Sequence, residues 1–401
     1  QAKAIVINMT ISSAFTSPTS EREPIGGPLA WRQDSFSDPS VYTIDLAKDR
    51  LHIDNALEFL LDLGLDPEEI DHTQFPLPSS VVDKLQQCAH TIHEGVGFCV
   101  LRGATSCYSV EDSVTVFLGI ASYIGDQRGL QNKQGHMLSH ITESKGWEIP
   151  RNERHGIHSN ASLPFHTDMG TDIVALHVRG CSAEGGNTYV SSASSVFNDL
   201  LSRPGALQTL LEPNWPIQIS KRQARTTCVV RSLLEPEWPA APCRYIQAPL
   251  LTFHQGRLLV SVDPARLGPQ SSPRGSDKAP VPDLSIDQRV ALEALKAACH
   301  RNRVRIEARP GDIILFNNWA LLHSRDAYLD TESHTRHLVR LWLRNSKMGW
   351  SIPTSMSVPW QYAYGDDPVD RIFPVVPTDV YPTLKYTAGS AAFVLEDSDE
   401  E

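Results

Sequence analysis

The sequence predicts a mostly β fold with flanking helices, whose core is a sandwich or barrel of the jelly-roll kind. From about residue 172 onward, short runs rich in β-branched and aromatic residues recur at modest spacing. One pair of runs is a hairpin, "PLLTFHQGRLLVSV", that turns near Gly256. The helical patterns lie mainly before residue 125. Many short strands with turn signals between them are typical of such a core.

The first 72 residues are interpreted as an extension that packs on this core. Residues 1–50 are rich in Ser, Pro and Thr, and they contain one candidate strand at Val41–Ile44. A short helix is predicted at Asn55–Leu63 because Gly64 is well placed to end it. This part of the chain therefore contributes little regular structure of its own.

Two helices and one strand follow. We expect a capping box formed by Ser80 and Asp83 to begin the first helix. "GFCVLRG" is predicted to be a short buried strand, and a second helix covers about Val110–Ile124. The apolar positions of the first helix fall on one face, which we expect to be buried: Val81, Leu85, Cys88, Ala89 and Ile92.

Residues 73–388 are predicted to form a single domain that contains two interruptions. The polar stretch 125–162 has no clear period, and a loop of that length is expected to be either disordered or functional; we interpret it as a lid loop. Residues 266–300 combine a Pro- and Ser-rich loop with a helix that a capping box at Ser285 begins. Residues 389–401 are interpreted as a solvated acidic tail.

Composition excludes some classes of partner. The 401 residues carry a formal net charge of −11, which argues against a nucleic-acid partner, because such proteins concentrate positive charge. No run of eighteen apolar residues occurs, so no membrane-spanning helix is expected, and the first residues lack the pattern of a signal peptide. The seven cysteines contain no CxxC pair and are interpreted as free thiols in a reducing, cytoplasmic compartment. The sequence specifies no oligomeric state.

Three residues form a candidate metal site. "LPFHTDMGTDI", residues 163–173, places His166 and Asp168 two positions apart, so their side chains point the same way in an extended chain. That pair alone is equally consistent with a polar strand edge. "RPGDIILFNNWALLH" adds His323 just beyond an apolar strand. Two histidines and one carboxylate are the facial triad that holds non-haem Fe(II) and leaves three coordination positions open.

Two arginines point to anionic ligands. In "HTRHLVRLWLR", Arg336 and Arg340 are four residues apart, hence on one strand face and about 13 Å from each other. A buried arginine is costly unless it meets an anion, and its planar fork suits a carboxylate. A dicarboxylate co-substrate and an anionic substrate would explain both arginines. For Arg340 the neutralisation of a buried acid is an alternative.

Taken in order, these motifs resemble the Fe(II)/2-oxoglutarate dioxygenases of the taurine dioxygenase and clavaminate synthase type. The similarity covers roughly residues 73–350 and includes "GVGFCVLRG" and "AEGGNTYVSS". The resemblance implies a cupin-like, double-stranded β-helix core that uses Fe(II), 2-oxoglutarate and O2. It also implies that His166, Asp168 and His323 hold the iron.

The resemblance assigns further roles as well. Arg336 would clamp the distal carboxylate of 2-oxoglutarate, and Thr188 would hydrogen-bond to the same co-substrate, although Thr188 could equally be an ordinary strand residue. Arg340 would face the primary substrate or the C1 carboxylate of 2-oxoglutarate. Several other polar residues are interpreted as structural or as surface residues: His155, His158, His177, Asn317, Asn318, Arg325 and Arg344.

Two classes of function remain open at this point. The first is an oxygenase that hydroxylates, desaturates or cyclises a small carboxylate-bearing substrate, such as an amino acid or natural-product intermediate. The second is a non-catalytic jelly-roll protein that binds a metal or a small acid. The second class explains the three candidate ligands but leaves Arg336 and Thr188 without a task.

Overall fold

A computed structural model describes most of the chain. The described residues are 22–132, 134–219, 245–269, 281–365, 369–383, 387–388 and 393–394. The predicted acidic tail at 389–401 lies outside them, except for residues 393–394.

Two β-sheets that face each other form the core, which confirms the mostly β jelly-roll prediction. The larger sheet has the spatial order β1 (Thr43–Asp45), β2 (Phe98–Arg102), β14 (Ile313–Asn317), β6 (Ile173–Gly180), β17 (His337–Arg344) and β3 (Gln127–Gly129), with β4 (Leu138–Thr142) also paired to β17. The smaller sheet has the order β13 (Val304–Ile306), β8 (Thr188–Ser192), β15 (Leu321–Arg325) and β5 (Leu163–His166).

The remaining described strands form short pairs outside these two sheets. They are β7 (Glu184–Gly185) with β16 (Tyr328–Leu329), β9 (Trp215–Gln218) with β10 (Tyr245–Ala248), β11 (Leu251–His254) with β12 (Arg257–Val260), and β18 (Thr387–Ala388) with β19 (Phe393–Val394). The pair β11 and β12 is the hairpin expected from the sequence.

Helices cover the outer faces of both sheets. The α-helices are α1 (Arg50–Leu63), α2 (Ser79–His93), α3 (Val110–Ser122), α4 (Ala193–Leu200), α5 (Pro204–Leu211), α6 (Ile286–Arg301) and α7 (Ser357–Tyr364). Short 3-10 helices occur at Gln33–Ser35, Pro39–Val41, Ala47–Asp49, Arg151–Glu153, Gly156–His158, Pro264–Arg266 and Thr354–Met356. Within the described ranges, no helix is long and apolar enough to cross a membrane.

Strand periodicity divides the apolar side chains into layers. In β17, Val339 and Leu341 pack toward α1, α2 and α3, whereas Leu338 and Trp342 pack between the two sheets. A third layer lies between the smaller sheet and α4, α5 and α6. Because successive strand residues face opposite sides, Arg340 points to the same side as Leu338 and Trp342, between the sheets.

Several predicted elements are confirmed. Gly64 ends α1 in the left-handed conformation, with φ of 62°, and Ser285 with Gln288 forms the capping box of α6. The predicted buried face of α2 is buried at every position: Val81, Leu85, Cys88, Ala89 and Ile92.

Two expectations are wrong. The capping box of Ser80 and Asp83 does not form, because α2 begins two residues earlier, at Ser79, and has Pro78 at its N-cap. The stretch 125–162 is not a loop throughout, since β3 and β4 pair there with β17 in the larger sheet. Its strands are short and partly polar, so they show no period in the sequence. Whether the rest of this stretch acts as a lid stays a prediction.

Candidate active site

The three predicted metal ligands come together between the sheets. His166 ends β5, Asp168 lies two residues further on, and His323 lies in β15 directly opposite His166 in the antiparallel register. Nε2 of His166 and Nε2 of His323 lie 3.8 and 3.7 Å from Oδ1 of Asp168. One ligand atom from each residue fits within a span of 4.8 Å. Adjacent strands therefore deliver two histidines, and the turn after β5 delivers the carboxylate.

Hydrogen bonds orient this group of ligands. Nδ1 of His166 lies 2.8 Å from the carbonyl oxygen of Pro164, so it acts as the donor there and its Nε2 carries the lone pair toward Asp168. Asn318, in the turn between β14 and β15, accepts from the backbone N–H of Asp168 at 2.9 Å. The Asn318 amide also donates to the carbonyls of Asp168 and Thr171, at 2.7 and 2.9 Å. The backbone around Asp168 is thereby fixed to the hairpin that carries His323.

The second carboxylate oxygen of Asp168 is held by strand β17. Oδ2 of Asp168 accepts from Nη1 of Arg340 at 2.9 Å and from Nε1 of Trp342 at 2.8 Å. Gln131 accepts from Nε of Arg340 at 2.9 Å and donates to the Arg340 carbonyl. Asp168 and Arg340 are both fully enclosed, so this ion pair is shielded from water. These bonds leave Oδ1 as the oxygen that faces the two histidines.

The structure therefore explains the buried charge of Arg340 differently from the sequence. Its buried charge has a partner within the chain, so it does not require a substrate anion, and the alternative of a buried acid describes its main contact. The sequence analysis identified neither of the two residues that hydrogen-bond to this ion pair. Trp342 was detectable, because it lies two residues after Arg340 on the same strand face. Gln131 left no signal, since it lies in the stretch 125–162.

Burial keeps the imidazole of His323 available to bind a metal. Enclosure in the core, followed by the proximity of His166, holds the pKa of His323 well below its ordinary range. The imidazole of His323 is thus neutral at physiological pH and offers a lone pair. Two imidazoles and one carboxylate on one face, with a cavity beside them, fit Fe(II), because this donor set is the 2-His-1-carboxylate triad. A bound Fe(II) would supply open coordination positions for a co-substrate and O2.

A cavity adjoins the ligands. Its polar lining includes His166, His323, Thr188, Arg336 and Arg340, and leucine, isoleucine and valine side chains form much of the remaining wall. All six sequence-predicted site residues are thus in one place, since Asp168 touches Arg340. Arg336 lies just before β17 and is only 4% exposed; its Nε donates to the carbonyl of Gly186 at 3.1 Å.

Gly186 is required by this close approach. Its φ is 69°, and a side-chain carbon there would lie 2.8 Å from Cδ of Arg336. Nη1 of Arg336 is buried and has no hydrogen-bond partner among the described residues. An unpaired guanidinium nitrogen in an enclosed site is a natural receptor for a carboxylate.

Arg325 is a cavity residue that the sequence did not reveal. We expected it to be structural or at the surface, but it is 5% exposed and lines the cavity with His323. Burial, followed by the charge of Arg336, lowers the pKa of Arg325 to about 9. It remains a cation at neutral pH. Its position two residues after His323 was the available signal, because residues i and i+2 of a strand share a face.

The other histidines near the motif stay outside the metal site. His155 and His158 belong to the turn around Gly156–His158, and His177 lies in β6 with its Nε2 2.7 Å from Oγ1 of Thr105. Among the described residues, the group formed by His166, Asp168 and His323 is the one arranged to hold a metal ion.

Comparison with known proteins agrees with this geometry. Residues 62–342 match the family model described as "Taurine catabolism dioxygenase TauD, TfdA family". The taurine hydroxylase-like protein SAT17 of Stachybotrys chartarum is 31% identical over 342 residues, covering 82% of this chain and 82% of that protein. The FR-33289 synthase of Streptomyces rubellomurinus is 27% identical over 344 residues, covering 84% and 94%.

Solved structures share the fold. Asparagine oxygenase, in complex with Fe(II), 3-hydroxyasparagine and succinate, superposes with a TM-score of 0.54 at 17% identity, over 76% of this chain and 93% of the other. The non-haem iron oxygenase OrfP, in complex with Fe, superposes with a TM-score of 0.52 at 18% identity, over 76% and 94%. The core is thus the predicted double-stranded β-helix.

The family match and the ligand geometry lead to one enzyme class. The protein is a non-haem dioxygenase that uses Fe(II), 2-oxoglutarate and O2, and the alternative of a non-catalytic binding protein is set aside. The chain belongs to the taurine catabolism dioxygenase TauD, TfdA family.

Proposed function

We propose that this dioxygenase oxidises a small molecule that carries a carboxylate or a similar acid, by hydroxylation, desaturation or ring closure. An amino acid or a natural-product intermediate is the preferred substrate class. The observation that carries the proposal is the excess of positive charge around the cavity.

The charge balance supports an anionic substrate. Arg325, Arg336 and Arg340 line the cavity, and Fe(II) adds two positive charges beside them. Asp168 and the two carboxylates of 2-oxoglutarate offset only part of this charge. Uncompensated charge is costly in an enclosed site, so an acidic substrate would bring the site closer to neutrality.

The co-substrate has a natural place at one end of the cavity. Arg336 presents a buried Nη1, and Thr188 adds a hydroxyl from β8 to the same wall. We assign these two residues to the distal carboxylate of 2-oxoglutarate. His166, Asp168 and His323 then hold the iron at the other side, and substrate lies between the iron and the apolar wall.

Arg340 is assigned a double role. It orients Asp168 through Nη1, and it also lines the cavity on the side of the iron ligands. An acidic group on the substrate would be attracted to this guanidinium without having to displace Asp168. The contact between Arg340 and the substrate should contribute less to binding affinity than an unshared ion pair would, because Asp168 already offsets part of the arginine's charge.

The relatives support the choice of substrate class. The FR-33289 synthase is named for its product, and the structures with the same fold hold hydroxylated asparagine and hydroxylated arginine. Amino acids and their derivatives are therefore the first compounds to test. A specialised tailoring step is the expected metabolic role.

The test is a substrate screen. Purified protein with Fe(II), 2-oxoglutarate and O2 is incubated with a library of amino acids, other small acids and neutral analogues, and succinate is measured. Acidic compounds should raise succinate above the slow substrate-free rate, with one oxidised product per succinate. A screen in which only neutral compounds stimulate turnover would contradict the proposal.

We further propose a cytoplasmic location. The described cysteines Cys88, Cys99, Cys107, Cys181 and Cys299 are all free thiols, as is expected in a reducing compartment. Cys228 and Cys243 lie outside the described residues.

A further inference from the structure

Arg325 lies at the co-substrate end of the cavity and also contacts a neighbouring turn. In the smaller sheet it is the direct cross-strand partner of Thr188, and it lies two residues after His323. Cross-strand partners and residues two apart face the same side of a sheet. The side chains of Thr188, His323 and Arg325 therefore all line the cavity.

One guanidinium nitrogen of Arg325 holds the turn that precedes β5. Nη2 donates to the carbonyls of Gly156, Ser159 and Ala161, at 3.2 and 3.0 Å for the first two. These carbonyls belong to the turn 156–161, which contains a single 3-10 helix and leads into β5. The turn thus depends on a cation that lies inside the active-site cavity.

The other two nitrogens of Arg325 are not used by the protein in this way. Nε and Nη1 are buried and have no hydrogen-bond partner among the residues that the structure describes. A buried guanidinium with unused donors is unfavourable unless a ligand accepts from them. The donors that remain can therefore serve a molecule bound in the cavity.

Arg325 and Arg336 share one neighbour. Their Cζ atoms lie 5.1 and 5.5 Å from the centre of the Tyr328 ring. The ring offers each cation a partly favourable contact, but two like charges in one enclosed site still repel each other. A carboxylate between the two guanidinium groups would weaken that repulsion and accept from an unused donor of each arginine.

We propose that Arg325 is a second cation of the 2-oxoglutarate site, beside Arg336, and that it links co-substrate binding to the ordering of the turn 156–161. The proposal rests on the proposed function, in which the distal carboxylate of 2-oxoglutarate binds at this end of the cavity. The carboxylate accepts from one of the unused donors of Arg325, Nη1 or Nε, and so steadies the guanidinium whose Nη2 holds the three carbonyls. Arg325 is a positioning residue for the turn and a binding residue for the co-substrate.

The first part of the test measures binding rather than turnover. Isothermal titration of the anaerobic Fe(II) protein with 2-oxoglutarate gives the affinity for wild type, Arg325→Met and Arg325→Lys. We expect Arg325→Met to weaken 2-oxoglutarate binding by about tenfold or more, because a charge-assisted hydrogen bond is lost. Arg325→Lys keeps the charge but not the planar fork and should fall in between.

A second ligand separates a direct contact from general damage. 2-Oxopentanoate has the same keto-acid end but no distal carboxylate, so its affinity should be the same for wild type and Arg325→Met. Arg102→Met is the matched control, since Arg102 pairs with Asp312 and does not line the cavity. This control should bind 2-oxoglutarate as tightly as the wild type.

The second part of the test follows the turn. Hydrogen–deuterium exchange of peptides covering 151–162 should slow in the wild type when 2-oxoglutarate binds. In Arg325→Met, saturating 2-oxoglutarate should leave this exchange unchanged, whereas Arg102→Met should behave as the wild type. A merely structural arginine would change exchange in the free protein but would not abolish the response to the co-substrate.

The outcomes distinguish this inference from the proposed function. Wild-type protein that fails to bind 2-oxoglutarate would overturn the co-substrate site itself. Normal 2-oxoglutarate affinity in Arg325→Met, with the usual slowing at 151–162, would overturn only the role of Arg325. Equal losses for 2-oxoglutarate and 2-oxopentanoate would also overturn it, because the contact would then not involve the distal carboxylate.

Discussion

Nη1 of Arg340 donates a hydrogen bond to Oδ2 of Asp168 over 2.9 Å, so a core arginine and a metal ligand form one buried ion pair. The two residues are 172 positions apart, in β17 and in the turn after β5. The pair leaves Oδ1 toward the histidines and makes the position of the carboxylate depend on the larger sheet.

Loss of this pair should weaken iron binding. Arg340→Met removes the charged donor but keeps an unbranched side chain, and we expect Fe(II) affinity to fall by about 10- to 100-fold, as for other partners of metal ligands. Anaerobic calorimetry with Fe(II) measures the change. Trp342→Phe, which removes the other donor to Oδ2, should cost less because Arg340 remains. Unchanged affinity in Arg340→Met would show that Asp168 holds its position without the arginine.

The ligands themselves should be indispensable. His166→Ala, Asp168→Ala and His323→Ala should each abolish succinate formation and greatly reduce Fe(II) binding, because each removes a donor of the triad. Circular dichroism should show that the variants still fold, since the two sheets build the cavity independently of the metal. Asp168→Ala should nevertheless melt at a lower temperature than the two histidine variants, because it also removes the carboxylate partner of the buried Arg340. Full iron affinity in any one of them would exclude that residue from the site.

Arg336 should control the need for 2-oxoglutarate. Arg336→Ala removes a charge-assisted contact, which is typically about 1.5 to 3 kcal/mol, so the half-saturating concentration should rise by at least about tenfold. Titration of the weak visible charge-transfer band of the anaerobic Fe(II) complex reports this concentration. A half-saturating concentration equal to that of the wild type would remove Arg336 from the co-substrate site.

Substrate charge should decide reactivity once a substrate is found. Converting its acid to a methyl ester removes the anion that balances the cavity arginines, and kcat/KM should fall by about tenfold or more. The matched comparison is the acid itself under the same conditions, with succinate and product both measured. An ester that reacts as well as the acid would contradict the anionic-substrate proposal.

Acid should destabilise the fold through buried histidines. Burial is the main cause that lowers the pKa values of His158, His177 and His337 to about 3, from the usual 6.5. Above pH 6.5 these rings are neutral in both states; below it the unfolded chain binds protons that the folded chain excludes. The free energy of unfolding should therefore fall as the pH drops from about 6.5 toward 3, by up to about 1.4 kcal/mol per pH unit for each histidine.

A single variant isolates this effect from the carboxylates. His177→Gln keeps a side chain that can hydrogen-bond to Thr105 but removes one titrating group. The slope of unfolding free energy against pH, from urea titrations between pH 4 and 6.5, should decrease by about 1.4 kcal/mol per pH unit. An identical slope in variant and wild type would mean that His177 is protonated in the folded state.

The metal site was predictable because its chemistry needs particular residue types in local patterns. His166 and Asp168 are two apart in an extended segment, and His323 follows a strong apolar strand, so both halves of the triad left local signals. Which elements would meet was not encoded locally. The resemblance to a known family supplied the association that the two short motifs alone could not.

The partners of the site were harder to predict, because their roles depend on contacts between distant segments. The buried environment of Arg325 arises from the turn 156–161, which has no sequence periodicity. Asp168 as the partner of Arg340 required knowledge that β17 passes beside the turn after β5. The strands β3 and β4 were missed because pairing with β17, rather than intrinsic propensity, defines them.

Asn318 ties the backbone of Asp168 to the turn before His323, and this bond has a consequence for how new substrate preferences could arise. Three hydrogen bonds from one side chain, that of Asn318, thus join the carboxylate ligand to the hairpin that carries the second histidine. Substitutions in the apolar wall of the cavity, such as Ile141 and Ile157, leave these bonds in place and could therefore change what the enzyme accepts while the oxidising centre stays intact. A protein built this way can change its substrate specificity while it keeps the same oxidation reaction.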